Sequence, residues 1–128
     1  MTLLDASVII DALRAKDVAL MAQMNAAGGS VCGVTRAEIL SGARGKNDRA
    51  SLITILDGFQ QVAISEAMWN EIGDLQAQLR TAGVTVPIVD AVLATIAISL
   101  DVEVWARDIH FNNMQRVLPA LKLYSENP

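Results

Sequence analysis

Apolar positions along the chain follow two periods, and the switches between them divide it into short strands and amphipathic helices. The opening MTLL reads as a buried strand ending at Asp5, after which Val8, Ile9, Ala12 and Leu13 recur at helical spacing. DVALMAQMNAA predicts a second helix with Leu20, Met21 and Met24 on one stripe, and Gly28 and Gly29 stop it. SVCGV, between those glycines and Thr35, predicts the next strand. A Thr-x-x-Glu capping box at Thr35 and Glu38 opens a third helix over TRAEILSGA. A polar loop and a fourth helix are expected for RGKNDRASLITILDGF, a short strand for QQVAI, and a long helix for SEAMWNEIGDLQAQLRTAG that Gly83 terminates. VPIVDAVLATIAISLD starts with Pro87 near the first helical position and is almost wholly apolar, which predicts a central, well-buried helix. VEVWA as a strand, RDIHFNNMQRV as a loop and short helix, and LKLYS as a last strand complete the series.

Strands that alternate with helices predict an α/β fold of three layers, α/β/α and Rossmann-like, around a central and mainly parallel sheet. One domain spanning residues 1–128 is expected, with no internal repeat or linker. Composition agrees: 52% of residues are apolar and only 4% aromatic, so the core must be built from Leu, Ile, Val and Ala, as suits helices packed on a parallel sheet. The single cysteine, Cys32, cannot form an internal disulfide, which fits a reducing cytoplasm. No basic leader region opens the chain, and its longest apolar stretch carries Asp90 and is short for a membrane span, so a soluble, cytoplasmic protein with no membrane partner is expected.

A net charge of −4 argues against binding nucleic acid through overall charge alone. The charge is uneven, however, at +1 over residues 1–49 and −5 over residues 50–128. In parallel α/β sheets ligands bind beyond the carboxyl ends of the strands, near the amino ends of the following helices. Asp5, Glu38, Asp90 and Asp108 all fall at places of that kind. Each also has an ordinary structural use: Glu38 in the capping box, Asp90 beside a helix dipole, Asp5 and Asp108 as turn formers or N-caps. Asp5 and Asp90 nevertheless sit within apolar sequence that should hold them near the core, where uncompensated carboxylates must bind protons or cations. Oxygen donors suit Mg²⁺, with Mn²⁺ as the alternative, and a lone histidine excludes a multi-histidine zinc site. His110 itself reads as a surface or supporting residue. Ser7 and Thr35 each read in two ways, as helix N-caps or as hydroxyls that bond a carboxylate or a metal-bound water.

The segments LLDASVIIDAL, VTRAEILSGA, VPIVDAVLATIA and VWARDIHF resemble, in order and spacing, the PIN-domain nucleases, and most closely the VapC-type toxins of bacterial toxin–antitoxin pairs. The resemblance covers essentially the whole chain and implies a PIN-like fold and a metal-dependent endoribonuclease that cleaves tRNA or rRNA and is held inactive by a cognate VapB-type antitoxin. It makes Asp5 and Asp90 the principal metal ligands, with Glu38 and Asp108 completing the acidic pocket. Ala106 departs from the pattern, standing where many relatives have threonine, which removes one supporting hydroxyl. The implied reaction is in-line attack of metal-activated water on a phosphodiester, leaving a 5′ phosphate and a 3′ hydroxyl. Arg107, beside Asp108, and Arg36, Arg44, Lys46 and Arg49 are then candidate phosphate contacts, with Arg14 and Lys16 expected nearby. Spare apolar surface on DALRAKDVALMAQM and LITILDGF points to a homodimer and to antitoxin docking. The main alternative is a non-catalytic PIN-like module that binds RNA or protein; the complete acidic set argues against it. Receiver domains and aspartyl-phosphate hydrolases expect adjacent or Asp-x-Asp acids that Asp5-Ala6-Ser7 does not supply.

Overall fold

The computed structural model describes residues 1–126. Its elements run β1 (Thr2–Leu4), α1 (Ala6–Ala15), α2 (Val18–Ala26), β2 (Gly29–Cys32), α3 (Gly33–Ser41), α4 (Lys46–Asp57), β3 (Gln60–Val62), α5 (Glu66–Thr81), α6 (Ile88–Leu100), β4 (Glu103–Trp105), α7 (Ile109–Val117) and β5 (Lys122–Leu123). The five strands form one sheet in the order β3-β2-β1-β4-β5, and every pairing is parallel. The expected three-layer α/β architecture is therefore present, with β1 in the centre.

Strand alternation sorts the core. Leu3 points to one face with Val104, Ile72, Leu93, Ile96 and Phe111, so α5, α6 and α7 cover that side. Leu4 points to the other with Trp105, Val31, Ile9, Met24 and Leu56, under α1, α2 and α4. Both leucines are fully buried, and each contributes about 1.5–3 kcal/mol of apolar burial. Apolar α6 is buried continuously from Asp90 to Ala97, as its composition predicts. Gly29 lets α2 and the Leu4 side chain lie close over β2: a Cβ there would stand 2.8 Å from the Met24 carbonyl oxygen and 2.9 Å from Leu4 Cδ1.

One local expectation is corrected. The helix α3 begins at Gly33, two residues before Thr35, and its N-cap is Cys32 with no side-chain cap bond. The chain passes straight from β2 into the helix, so Thr35 already lies inside the first turn. Its hydroxyl donates across the sheet to the Leu4 carbonyl at 3.4 Å. No capping box forms, and Glu38 is released from that duty.

Candidate active site

Strands β1 and β4 are neighbours in register, with Leu4 opposite Trp105, so the residues that follow them leave the sheet side by side. The Asp5 N–H donates to the Trp105 carbonyl at 2.9 Å, carrying the pairing one residue past the strand. Asp5 is then the N-cap of α1, accepting from the Ser7 N–H at 3.1 Å. Since Asp5 takes the cap, the Ser7 hydroxyl is left to donate to Asp5 Oδ2 and to accept from the Arg107 N–H at 2.9 Å. Ser7 thus ties the end of β1 to the loop after β4, and of its two readings the bond to a carboxylate is the one realised.

Asp108 repeats the arrangement as N-cap of α7, accepting from the His110 N–H at 2.9 Å. The imidazole lies between two carboxylates, with Nδ1 2.7 Å from Asp90 Oδ2 and 3.2 Å from Asp108 Oδ1. Asp90 comes from the first turn of α6, and it and Asp5 are almost wholly buried, at 6% and 5% exposure. Glu38 stands on α3 at the outer edge of the set, open to solvent. Partial desolvation raises its pKa above the ordinary value, and the charges of Asp5, Asp90 and Asp108 raise it further. Asp90 is raised chiefly by burial, against the hydrogen bond from His110, with Asp5 and Asp108 adding to the rise. All four expected carboxylates therefore share one electrostatic site.

Among the described residues, no lysine or arginine pairs with any of these four acids. Concentrated, partly desolvated oxygen donors with no lysine or arginine beside them suit a hard divalent cation, whose attraction for each would outweigh their mutual repulsion. The tightest donor group is Asp90, Asp108 and His110, whose ligand atoms all lie within 4.8 Å of one another. His110 is the residue whose place sequence reasoning underestimated. Its signal was the spacing Asp108-x-His110, which matches Asp5-x-Ser7: in both, the polar side chain two residues after an N-cap aspartate turns back onto it.

The basic residues are distributed otherwise than their order suggests. The Arg107 guanidinium faces away from the acidic site, donating from Nε and Nη2 to Glu126 at 3.0 and 2.6 Å and from Nη1 to Asp11 at 3.2 Å. Glu126 holds the guanidinium above its ordinary pKa, and Arg107 in turn holds the Glu126 carboxyl below its own. Arg36 binds Asp57 and Gln61, both at 2.8 Å. Arg14, Lys16 and Arg44 line, with Glu38, a cavity of 510 Å³ between α1, α3 and α4. Lys46 and Arg49 are exposed on the first turn of α4. Thr35 is fully buried, with its hydroxyl on the Leu4 carbonyl and 3.8 Å from Cys32 Sγ.

Comparison with known proteins bears on this arrangement. The family model for the PIN domain matches residues 2–117. No curated protein matches the sequence. Among solved structures, the chain is similar to VapBC2 from Rickettsia felis, bound to a DNA fragment from its promoter, with TM-score 0.79, 18% identity and 96% of each chain covered. It is also similar to DNA-bound VapBC from Salmonella typhimurium, with TM-score 0.76, 17% identity and 96% of each chain covered. VapBC-1 from nontypeable Haemophilus influenzae gives TM-score 0.74 and 18% identity over 97% of this chain and 96% of that one. At these identities the likeness is one of fold.

Proposed function

The chain belongs to the PIN-domain family, and from that premise we propose that it is a metal-dependent endoribonuclease, the VapC-type toxin of a toxin–antitoxin pair. The observation that carries the reading is the meeting of Asp5, Glu38, Asp90 and Asp108 at the carboxyl edge of a parallel sheet with no lysine or arginine to neutralise them. Asp5 and Asp90, whose burial fixes their positions before substrate arrives, would hold a divalent ion, Mg²⁺ or Mn²⁺, which would supply charge to activate water and stabilise the departing 3′ oxygen. Ser7 orients Asp5, and the α7 N-terminus orients Asp108 through the His110 N–H.

The substrate is structured RNA, tRNA or rRNA, cut by phosphodiester hydrolysis. Arg14, Lys16 and Arg44 support a phosphate path, because they line the cavity that has Glu38 in its wall. Arg107 contributes once a phosphate takes the place of Glu126. A VapB-type antitoxin is the partner, in keeping with the toxin–antitoxin complexes that share the fold. Val18, which is 80% exposed on α2, and the half-buried Leu52, Ile53 and Ile55 on α4 supply apolar surface for a homodimer. Among the described residues no helix is long and apolar enough to cross a membrane, and the cytoplasm, where RNA and antitoxin meet, is the proposed location.

The test is cleavage of a total tRNA and rRNA pool by partner-free protein with Mg²⁺ or Mn²⁺, then with chelator, beside Asp5→Asn. Asparagine still caps α1, so the variant should fold while losing the charge. Discrete fragments that require both metal and Asp5 are expected. Undiminished cleavage by Asp5→Asn would refute the site.

A further inference from the structure

Resting on the reading of the carboxylates as a divalent-cation site, we propose that His110 is itself a ligand in that site and that its nitrogen makes the site favour Mn²⁺ over Mg²⁺. The imidazole is 38% exposed, so it does not serve as buried core. Its position as the second residue of α7, with its own N–H bonded to Asp108, fixes the ring against Asp90 and Asp108. Those contacts, at 2.7 and 3.2 Å from Nδ1, fit hydrogen bonds while the ring carries a proton there. They fit a second description equally well. An octahedral ion with bonds of about 2.1 Å sets neighbouring ligand atoms about 3 Å apart, between the two separations observed. Neutral imidazole moves its proton to Nε2 without changing charge, which frees the Nδ1 lone pair for a cation.

A nitrogen donor changes which ion the site prefers. Mg²⁺ is hard, keeps its waters and selects oxygen, whereas first-row transition ions accept imidazole beside carboxylate. A set of four carboxylates alone would show little such bias. With His110 among the donors, the same pocket should retain Mn²⁺ in the presence of excess Mg²⁺.

The measurement is Mn²⁺ binding to the partner-free full chain and to His110→Asn, followed by the electron paramagnetic resonance signal of free Mn²⁺, with Mg²⁺ as competitor and pulsed detection of nitrogen coupling. Asparagine keeps a donor for Asp90, and its amide nitrogen is not basic and does not coordinate; any ligation it retains is through a hard carbonyl oxygen, so the variant removes the nitrogen donor specifically. Expected are a directly bound imidazole nitrogen in the wild type, its loss in His110→Asn, and Mn²⁺ affinity reduced about tenfold with a much smaller change for Mg²⁺. Saturable Mn²⁺ binding by the wild type without bound nitrogen, or an equal loss for both ions, overturns ligation by His110 and leaves the cation site standing. Absence of saturable Mn²⁺ binding by the wild type overturns the cation site and this proposal together. The wild-type nitrogen signal decides the matter even where the variant folds poorly.

Discussion

Removing the Ser7 hydroxyl tests how this protein holds its central carboxylate. The hydroxyl accepts from the Arg107 N–H at 2.9 Å and donates to Asp5 Oδ2, so Ser7→Ala deletes one neutral and one charge-assisted hydrogen bond. Asp5 keeps the Ser7 N–H at 3.1 Å, and Ser7 is half-buried, so water can reach part of the vacated space. A bond to a charged group contributes about 1.5–3 kcal/mol and a neutral one about 0.5–1.5; with partial replacement by water, the expected loss is about 1–3 kcal/mol. For a chain of this size that lowers the melting temperature by roughly 4–12 °C. The link to function is the orientation of Asp5: partners that orient metal ligands typically matter about 10–100-fold in metal affinity or activity. Urea unfolding and single-turnover cleavage at saturating Mn²⁺ read the two effects separately. Ser7→Thr keeps the hydroxyl and should recover most of both. Wild-type stability and cleavage in Ser7→Ala, or a threonine variant no better than alanine, would show that the tie between the ends of β1 and β4 carries no part of the site.

Three further outcomes follow from the same contacts. Burial and neighbouring carboxylates raise the Glu38 and Asp90 pKa values above their ordinary ones, so the stability they contribute is present at acid pH and lost as pH rises through the raised values; metal-free protein should therefore become less heat-stable as pH rises above the ordinary carboxylate range, less so for Asp90→Asn, and recover on adding Mn²⁺. Glu126 opposes this weakly, since its lowered pKa gives stability that is lost on acidification. Glu126→Gln in an Asp5→Asn background loosens the Arg107 guanidinium, leaving Asp11 as its charged partner; RNA binding should tighten and its salt dependence steepen by up to about one ion, and an unchanged slope would remove Arg107 from the phosphate contacts. Gly29→Ala forces a Cβ against the Met24 carbonyl and Leu4, and should cost about 1–3 kcal/mol of stability by urea unfolding while leaving the sheet edge that bears Asp5 chemically unchanged.

The sequence by itself determined the elements and their order, because helical and strand periods are local. Leu3 and Leu4 read as buried before Asp5, the apolar run after Pro87 read as a central helix, and each lies where that pattern puts it. It also singled out the four carboxylates, since Asp5 and Asp90 conflict with their apolar neighbours. Local reading failed where a partner distant in sequence won the contest. Thr35 had the spacing of a cap with Glu38, but entry from β2 placed it inside the helix, where its hydroxyl meets Leu4, 31 residues earlier. Arg107 adjoins Asp108 in the chain, yet Glu126 and Asp11 claim its guanidinium. His110 gained its place between Asp90 and Asp108 because α6, which carries Asp90, packs against β4 and α7 and so brings segments 20 residues apart together. Which residues touch across 20 or 100 positions depends on strand pairing and on the direction in which each helix leaves the sheet. Neither is written in the period of any single segment, and that is why the four carboxylates were legible in the sequence while the company each keeps was decided by the tertiary structure.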